Sequence, residues 1–136
     1  MSESVLTRGV DHIGLTVSDL AASTQFFTQC LGWRKFGENR DYPAAYVTDG
    51  SAKVTLWQVT NTAEFRPFDR KHHVGLHHLA LKVGSLEDLH ALFATARDWN
   101  GVQVEFAPEF SGAGPKVHAM LIEPGGTRLE LSFDPR

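Results

Sequence analysis

Residues 10–17 (VDHIGLTV) alternate between apolar and polar positions. Ile13, Leu15 and Val17 share one face and His12, Gly14 and Thr16 the other, the period of two that marks a half-buried strand. Ser18 stands where a helix cap belongs, ahead of a helix predicted to run to about Leu31 and to end at Gly32. Three strand-like runs follow, at about 32–38, 43–49 and 52–59, with a turn at Asp49-Gly50 before the last. The same order then recurs. A strand reading LHHLALKV precedes Ser85 and Asp88, a capping pattern, and then Leu89, Leu92, Phe93 and Ala96 fall on one helical face. Strand runs at about 101–106, 116–123 and 127–134 complete it, with Pro124-Gly125-Gly126 as the final turn.

The recurrence is a sequence repeat. A shift of 66 lays VDHIGLTVSDL (10–20) over LHHLALKVGSL (76–86), and carries His12 onto His78, Phe27 onto Phe93 and Trp33 onto Trp99. Farther on the shift becomes 75 and lays YVTDGSAKVTL (46–56) over LIEPGGTRLEL (121–131). The second copy is thus nine residues longer, and the Gly/Pro-rich stretch PEFSGAGPK (108–116) suits a loop insertion. The predicted architecture is α+β: one domain over 1–136, with module one at about 8–60, a linker at about 61–74 and module two at about 75–134, each module a βαβββ unit.

Composition narrows the function classes. With 42% hydrophobic and 21% charged residues, the 136-residue chain has the make-up of a soluble globular protein. No apolar run approaches the roughly 20 residues of a membrane span, and MSESVLTRGV shows no secretion signal. A cytoplasmic location with no membrane partner is the expectation. The net charge is −3 and the 13 Lys and Arg are scattered, which offers nucleic acid no basic face. The single cysteine, Cys30, falls in the first helix near Phe26 and Phe27 and reads as a small buried apolar residue rather than a nucleophile.

The histidines matter by position. His12 and His78 occupy equivalent places in the two first strands, on the face opposite the aliphatic row. The aliphatic rows must cover the helices, so the histidine faces are expected on the concave side, with the two sheets brought together there. Parity puts Glu130 on that side too, since Leu129, Leu131 and Phe133 alternate against Arg128, Glu130 and Ser132. Two imidazoles and a carboxylate suit one divalent metal ion and leave positions open for oxygen ligands. A lone strand histidine or a lone Glu is ordinarily a structural or solvated residue; three matching in repeat position, parity and chemistry favour ligation. His77 has the opposite parity and reads as a supporting or helix-side residue, while His72, His73 and His90 fit solvated positions.

From about Val10 to Phe133, through DHIGLTVSDL, FFTQCLGW, GLHHLALKV and EPGGTRLEL, the chain resembles the vicinal oxygen chelate superfamily. That superfamily includes glyoxalase I, extradiol dioxygenases, fosfomycin-resistance transferases, methylmalonyl-CoA epimerase and bleomycin-resistance proteins. The resemblance implies paired βαβββ modules forming an incomplete, curved β-barrel around a metal site, and homodimers that sometimes build each site from both chains. It assigns the metal to His12, His78 and Glu130 and places Thr55 at a fourth family position. Glyoxalase I has a carboxylate there and the epimerase an amide; Thr55 is a poor ligand and no base, which argues against glyoxalase I activity. Gln58 has the wrong parity unless a bulge intervenes.

The chemistry implied is that of a metal-dependent enzyme acting on a small substrate that chelates the ion through adjacent oxygens. Fe2+ or Mn2+ would support dioxygenase-type oxidoreductase chemistry; Zn2+ or Ni2+ would leave a glyoxalase-like lyase, isomerase or transferase. The third alternative is a metal-free drug-sequestering protein of the bleomycin-resistance type. His118 in KVHAML is the leading acid–base candidate, with Tyr46 behind it. Thr55, Trp57 and Lys82 are candidate substrate contacts, and Phe65, Arg66, Phe68 and Arg70 in the linker are candidates to cover the pocket mouth.

Overall fold

The computed structural model describes residues 5–136, in which eight strands and two helices form two four-stranded sheets. The first sheet holds β1 (Ile13–Val17), β2 (Arg34–Asn39), β3 (Ala44–Thr48) and β4 (Lys53–Gln58) in the order β1-β4-β3-β2. The second holds β5 (Leu79–Lys82), β6 (Gln103–Phe110), β7 (Val117–Ile122) and β8 (Arg128–Phe133) in the order β5-β8-β7-β6. In each, the first strand runs parallel to the last and the other pairings are antiparallel. The expected α+β class and doubled βαβββ order are both present; the sheets are not closed into a barrel.

Helix α1 (Leu20–Gln25) is capped by Asp19, whose carboxylate accepts from the Ala22 N–H, not by Ser18 as the sequence suggests. Ser18 is turned to the other module, where its N–H and hydroxyl both donate to the Gly125 carbonyl. The helix continues as a wider π-type turn, Phe26–Cys30, closed by the Leu31 N–H on the Phe26 carbonyl. That turn lets Phe26, Phe27 and Cys30 all enter the core. Helix α2 (Leu86–Arg97) follows its expected capping, with the Ser85 hydroxyl accepting from the Asp88 N–H. Its Glu87, Asp88 and Arg97 lie at the ends that the helix dipole favours. The extra length of module two lengthens the β6–β7 hairpin: β6 reaches Phe110, beyond the expected 106, with two register irregularities against β7.

The aliphatic rows of both sheets and both helices contribute to one continuous core. It joins Leu15, Val17, Val54 and Leu56 of the first sheet, Phe26 and Phe27, Leu89 and Ala96 of α2, and Leu121, Leu129 and Leu131 of the second sheet. The helix-bearing faces of the two sheets therefore meet in this core, and their opposite faces lie outside it. Exposure agrees: Gly14 and Thr16 on β1 and Ala80 and Lys82 on β5, all on the faces without helices, are open to solvent. No helix among the described residues is long and apolar enough to cross a membrane.

A polar staple crosses between the modules. Buried Glu123 accepts from the Ser23 hydroxyl of α1 at 2.6 Å and from the Thr127 N–H at 2.9 Å. Gly125 lies against it, where a Cβ would fall 2.0 Å from Ser23 Oγ and 2.6 Å from Val17 Cβ. The strain is too large for a side-chain shift to relieve, since two modules and a buried carboxylate meet there. Gly125→Ala should cost about 3 kcal/mol in urea unfolding. Equal stability of this variant and wild type would show that the modules do not close on this turn.

Candidate metal centre

Parity along β8 puts Glu130 on the sheet face away from α2, and β5 lies beside it with Ala80 paired to Glu130. His78, just before β5, reaches the same carboxylate: its Nε2 lies 3.0 Å from Glu130 Oε1. The antiparallel pairing of β7 with β8 brings in a second imidazole, with His118 Nδ1 at 3.0 Å from Glu130 Oε2 and the Phe106 ring 4.8 Å from the His118 ring. Glu130 is only 8% exposed. A nearly buried carboxylate thus has one imidazole on each oxygen.

Around His78 the neighbouring donors and acceptors favour one ring tautomer. Arg128 holds Glu105 through two bonds, at 2.9 and 2.6 Å, and its Nη1 lies 3.2 Å from His77 Nδ1. A guanidinium only donates, so His77 Nδ1 is an acceptor. His78 Nδ1, 2.8 Å from the same atom, is then the donor of that pair and the nearer of the two donors that share the single His77 lone pair. Desolvation, with the Arg128 charge behind it, holds the His77 pKa below its ordinary value, in keeping with a neutral acceptor. Glu105 is likewise held below the usual carboxylate range by its hydrogen bonds from Arg128.

When His78 is neutral, its Nε2 lone pair faces a carboxylate oxygen at 3.0 Å, two acceptors with no proton between them. A proton or a cation must resolve that contact. Two donor atoms about 2.1 Å from one ion and at right angles to each other are themselves about 3.0 Å apart, so the spacing suits adjacent ligands. The donor set fits a divalent metal.

His12 lies elsewhere. Its side chain is 57% exposed, on the outward side of the first sheet, with Nδ1 2.7 Å from Asp11 Oδ2. That hydrogen bond is the main reason that the Asp11 carboxyl is held below its usual range. Among the described residues no three His, Cys, Asp or Glu side chains converge to hold an ion within one chain. The expected convergence of His12 with His78 and Glu130 is not formed within the chain, because the shared core is built on the helix-bearing faces and leaves both histidine faces outside it.

The other candidates divide in the same way. Thr55 pairs with Tyr46 and Gly14 across the first sheet. Trp57 lies over Gly14, with its ring 4.6 Å from that of Tyr42, and the Tyr46 ring covers Gly37 and sits 5.9 Å from Phe36. Gln58 is occupied with the Leu20 N–H and the Ser18 carbonyl and takes no part in this face. Lys82 stands exposed at the end of β5. Phe65, Arg66 and Phe68 line a cavity of about 800 Å³ along β1 and the β7–β8 turn that reaches Arg128, while Arg70 approaches Glu105 at 3.8 Å. His77 is legible in the sequence, but its partner Arg128 is not, and nothing in the spacing marks Asp11 although it adjoins His12.

The family model described as Glyoxalase/Bleomycin resistance protein/Dioxygenase superfamily matches residues 9–131. The chain belongs to that superfamily. A curated member, a metapyrocatechase of Geobacillus stearothermophilus, is 26% identical over 98% of the chain, which spans only 39% of that protein's length. Among solved structures, a glyoxylase/bleomycin resistance protein/dioxygenase domain from Frankia sp. EAN1pec superposes with a TM-score of 0.81 at 24% identity, covering 96% of this chain and 94% of that one. A glyoxalase family protein from Enterococcus faecalis gives 0.74 at 21% identity, over 94% and 99% of the two chains. These structural likenesses establish the superfamily's fold.

Cys30 is 8% exposed, and burial pushes its thiol up to about 11. The thiolate, which is the reactive form, should be about 100-fold scarcer at pH 8 than in a thiol at the ordinary value of 9.0. Iodoacetamide labelling at pH 8 should therefore be at least that much slower in native than in urea-unfolded protein; similar rates would show that the thiol is reactive.

Proposed function

We propose that the chain is a metal-dependent enzyme whose site is completed by a second copy: His12 of one copy joins His78 and Glu130 of the other on one divalent ion. The observation that carries this reading is Glu130, buried between two imidazoles, with His78 Nε2 3.0 Å from one carboxylate oxygen and His118 Nδ1 3.0 Å from the other. The division of ligands supports the dimer, since His12 is exposed on an outward face. The free edges of β1 and β5 support it as well. Unpaired edges invite pairing with another chain, and exposed Val10, Val74 and Leu76 lead into these two strands. A two-fold dimer joining β1 of one copy to β5 of the other would form two identical sites.

Two imidazoles and one carboxylate with open positions are the ligand set of non-haem Fe(II) oxygenases. Such an ion, when bound, polarises adjacent substrate oxygens and gives access to dioxygen chemistry. Together with the metapyrocatechase relationship, this favours ring cleavage of a catechol-like substrate over lyase or isomerase chemistry. Thr55, where a fourth ligand would stand, leaves that position open. His118 contacts Glu130 through Nδ1, which leaves its Nε2 as the atom that would take the proton of a substrate hydroxyl. From the other copy, Trp57 and Tyr46 would wall the pocket, with Tyr46 a second proton acceptor and Lys82 a contact at the rim.

The partly exposed aromatic surface of Phe36, Tyr42, Tyr46 and Trp57 favours a second reading, a metal-free binder of an aromatic compound. Metal analysis of protein purified without a histidine tag separates the two. About one Fe or Mn per chain, sedimentation as a dimer and oxygen uptake with catechol are expected. Zn or Ni would move the reaction to non-redox chemistry. No metal, together with a melting temperature unchanged by divalent ions, would leave the binder.

A further inference from the structure

The repeat carries more than the two histidines. Asp11 and His77 are separated by the same 66 positions as His12 and His78, and each precedes its histidine directly. Each also bonds the Nδ1 of that histidine, Asp11 at 2.7 Å and His77 at 2.8 Å. We propose that Asp11 and His77 are duplicated positioning residues that fix His12 and His78 in the same tautomer, with a proton on Nδ1 and a lone pair on Nε2 for the metal; this rests on the ligand assignment above.

The two reach that result by different chemistry. A carboxylate oxygen can only accept, so Asp11 makes His12 Nδ1 a donor outright. His77 has two ring nitrogens and could present either a donor or an acceptor. Arg128 removes the ambiguity: its Nη1 donates to His77 Nδ1 at 3.2 Å and also to the His77 carbonyl at 3.2 Å. Glu105, bonded twice to Arg128, holds the guanidinium in place. The order Glu105, Arg128, His77, His78 is thus one hydrogen-bonded series, and beyond it His78 Nε2 stands 3.0 Å from the ligand carboxylate of Glu130. Partners of ligand imidazoles orient the ring and raise its basicity, and their loss commonly weakens metal binding 10–100-fold. A charged acceptor behind His12 and a neutral one behind His78 make the two ligands unequal, with His12 the stronger donor.

Co2+ titration of the metal-free protein, followed by its visible absorption, tests this without any assay of activity. Asp11→Ala and His77→Ala should each weaken Co2+ binding about 10–100-fold while the number of sites and the melting temperature stay the same. Asp11→Asn and His77→Gln, which keep an acceptor, should recover to within about threefold of wild type. Wild-type affinity in both alanine variants, with binding lost in His12→Ala and His78→Ala, would overturn the positioning role and leave the ligands standing. Undiminished binding in His12→Ala and His78→Ala would overturn the ligand assignment and, with it, this proposal. Failure of the acceptor-keeping variants to recover would also contradict it.

Discussion

The arrangement depends on one apolar core shared by both modules. Each sheet has an aliphatic row that must leave water, and each has a single helix to cover it. Leu15, Val17 and Leu56 on one side and Leu121, Leu129 and Leu131 on the other bury that surface together around Phe26, Phe27, Leu89 and Ala96. Burial of this kind is the dominant favourable term in folding. Its geometric consequence is that the polar faces of the sheets, which bear the proposed ligands, turn outward from that core.

That outward turn explains why a nearly buried carboxylate and an exposed histidine belong to the same proposed centre. Glu130 is costly to bury without partners; its own sheet supplies one in His118 and leaves the contact with His78 for a proton or a cation to resolve. His12 lies on the other sheet, where, among the described residues, its side chain bonds only its neighbour Asp11. Two free sheet edges lie next to these two half-sites. A dimer joined at those edges would cover the edges and unite the ligands, so the proposed assembly and the proposed chemistry answer the same structural problem.

The doubled architecture was legible because strand and helix periods differ and because the two copies preserve their apolar pattern. Parity along β5 and β8 was enough to place His78 beside Glu130. It was not enough to place His12, since parity gives the face of a sheet that a residue occupies and not the direction in which that face turns in the assembled chain. The helix cap was misplaced by one residue because Ser18 and Asp19 are both good caps, and the neighbouring module claims Ser18. The π-type turn at Phe26–Cys30 left no period to read over so few residues. His118 was singled out for its proton chemistry, but its contact with Glu130 depends on the register of β7 against β8, which emerges only from the folded hairpin. Asp11 was overlooked because an aspartate beside a strand histidine has no distinctive spacing.

Subunit complementation tests the shared site most directly. His12→Ala and His78→Ala proteins would each be prepared metal-free, then mixed under conditions that allow subunits to exchange, and the bound Co2+ per chain measured. Each parent should bind none. A mixed dimer regains one intact site of its two, because the unaltered His12 of one chain meets the unaltered His78 and Glu130 of the other, so random exchange should restore about a quarter of the wild-type capacity. A mixture that exchanges subunits and still binds no more than its parents would contradict a centre built from two copies.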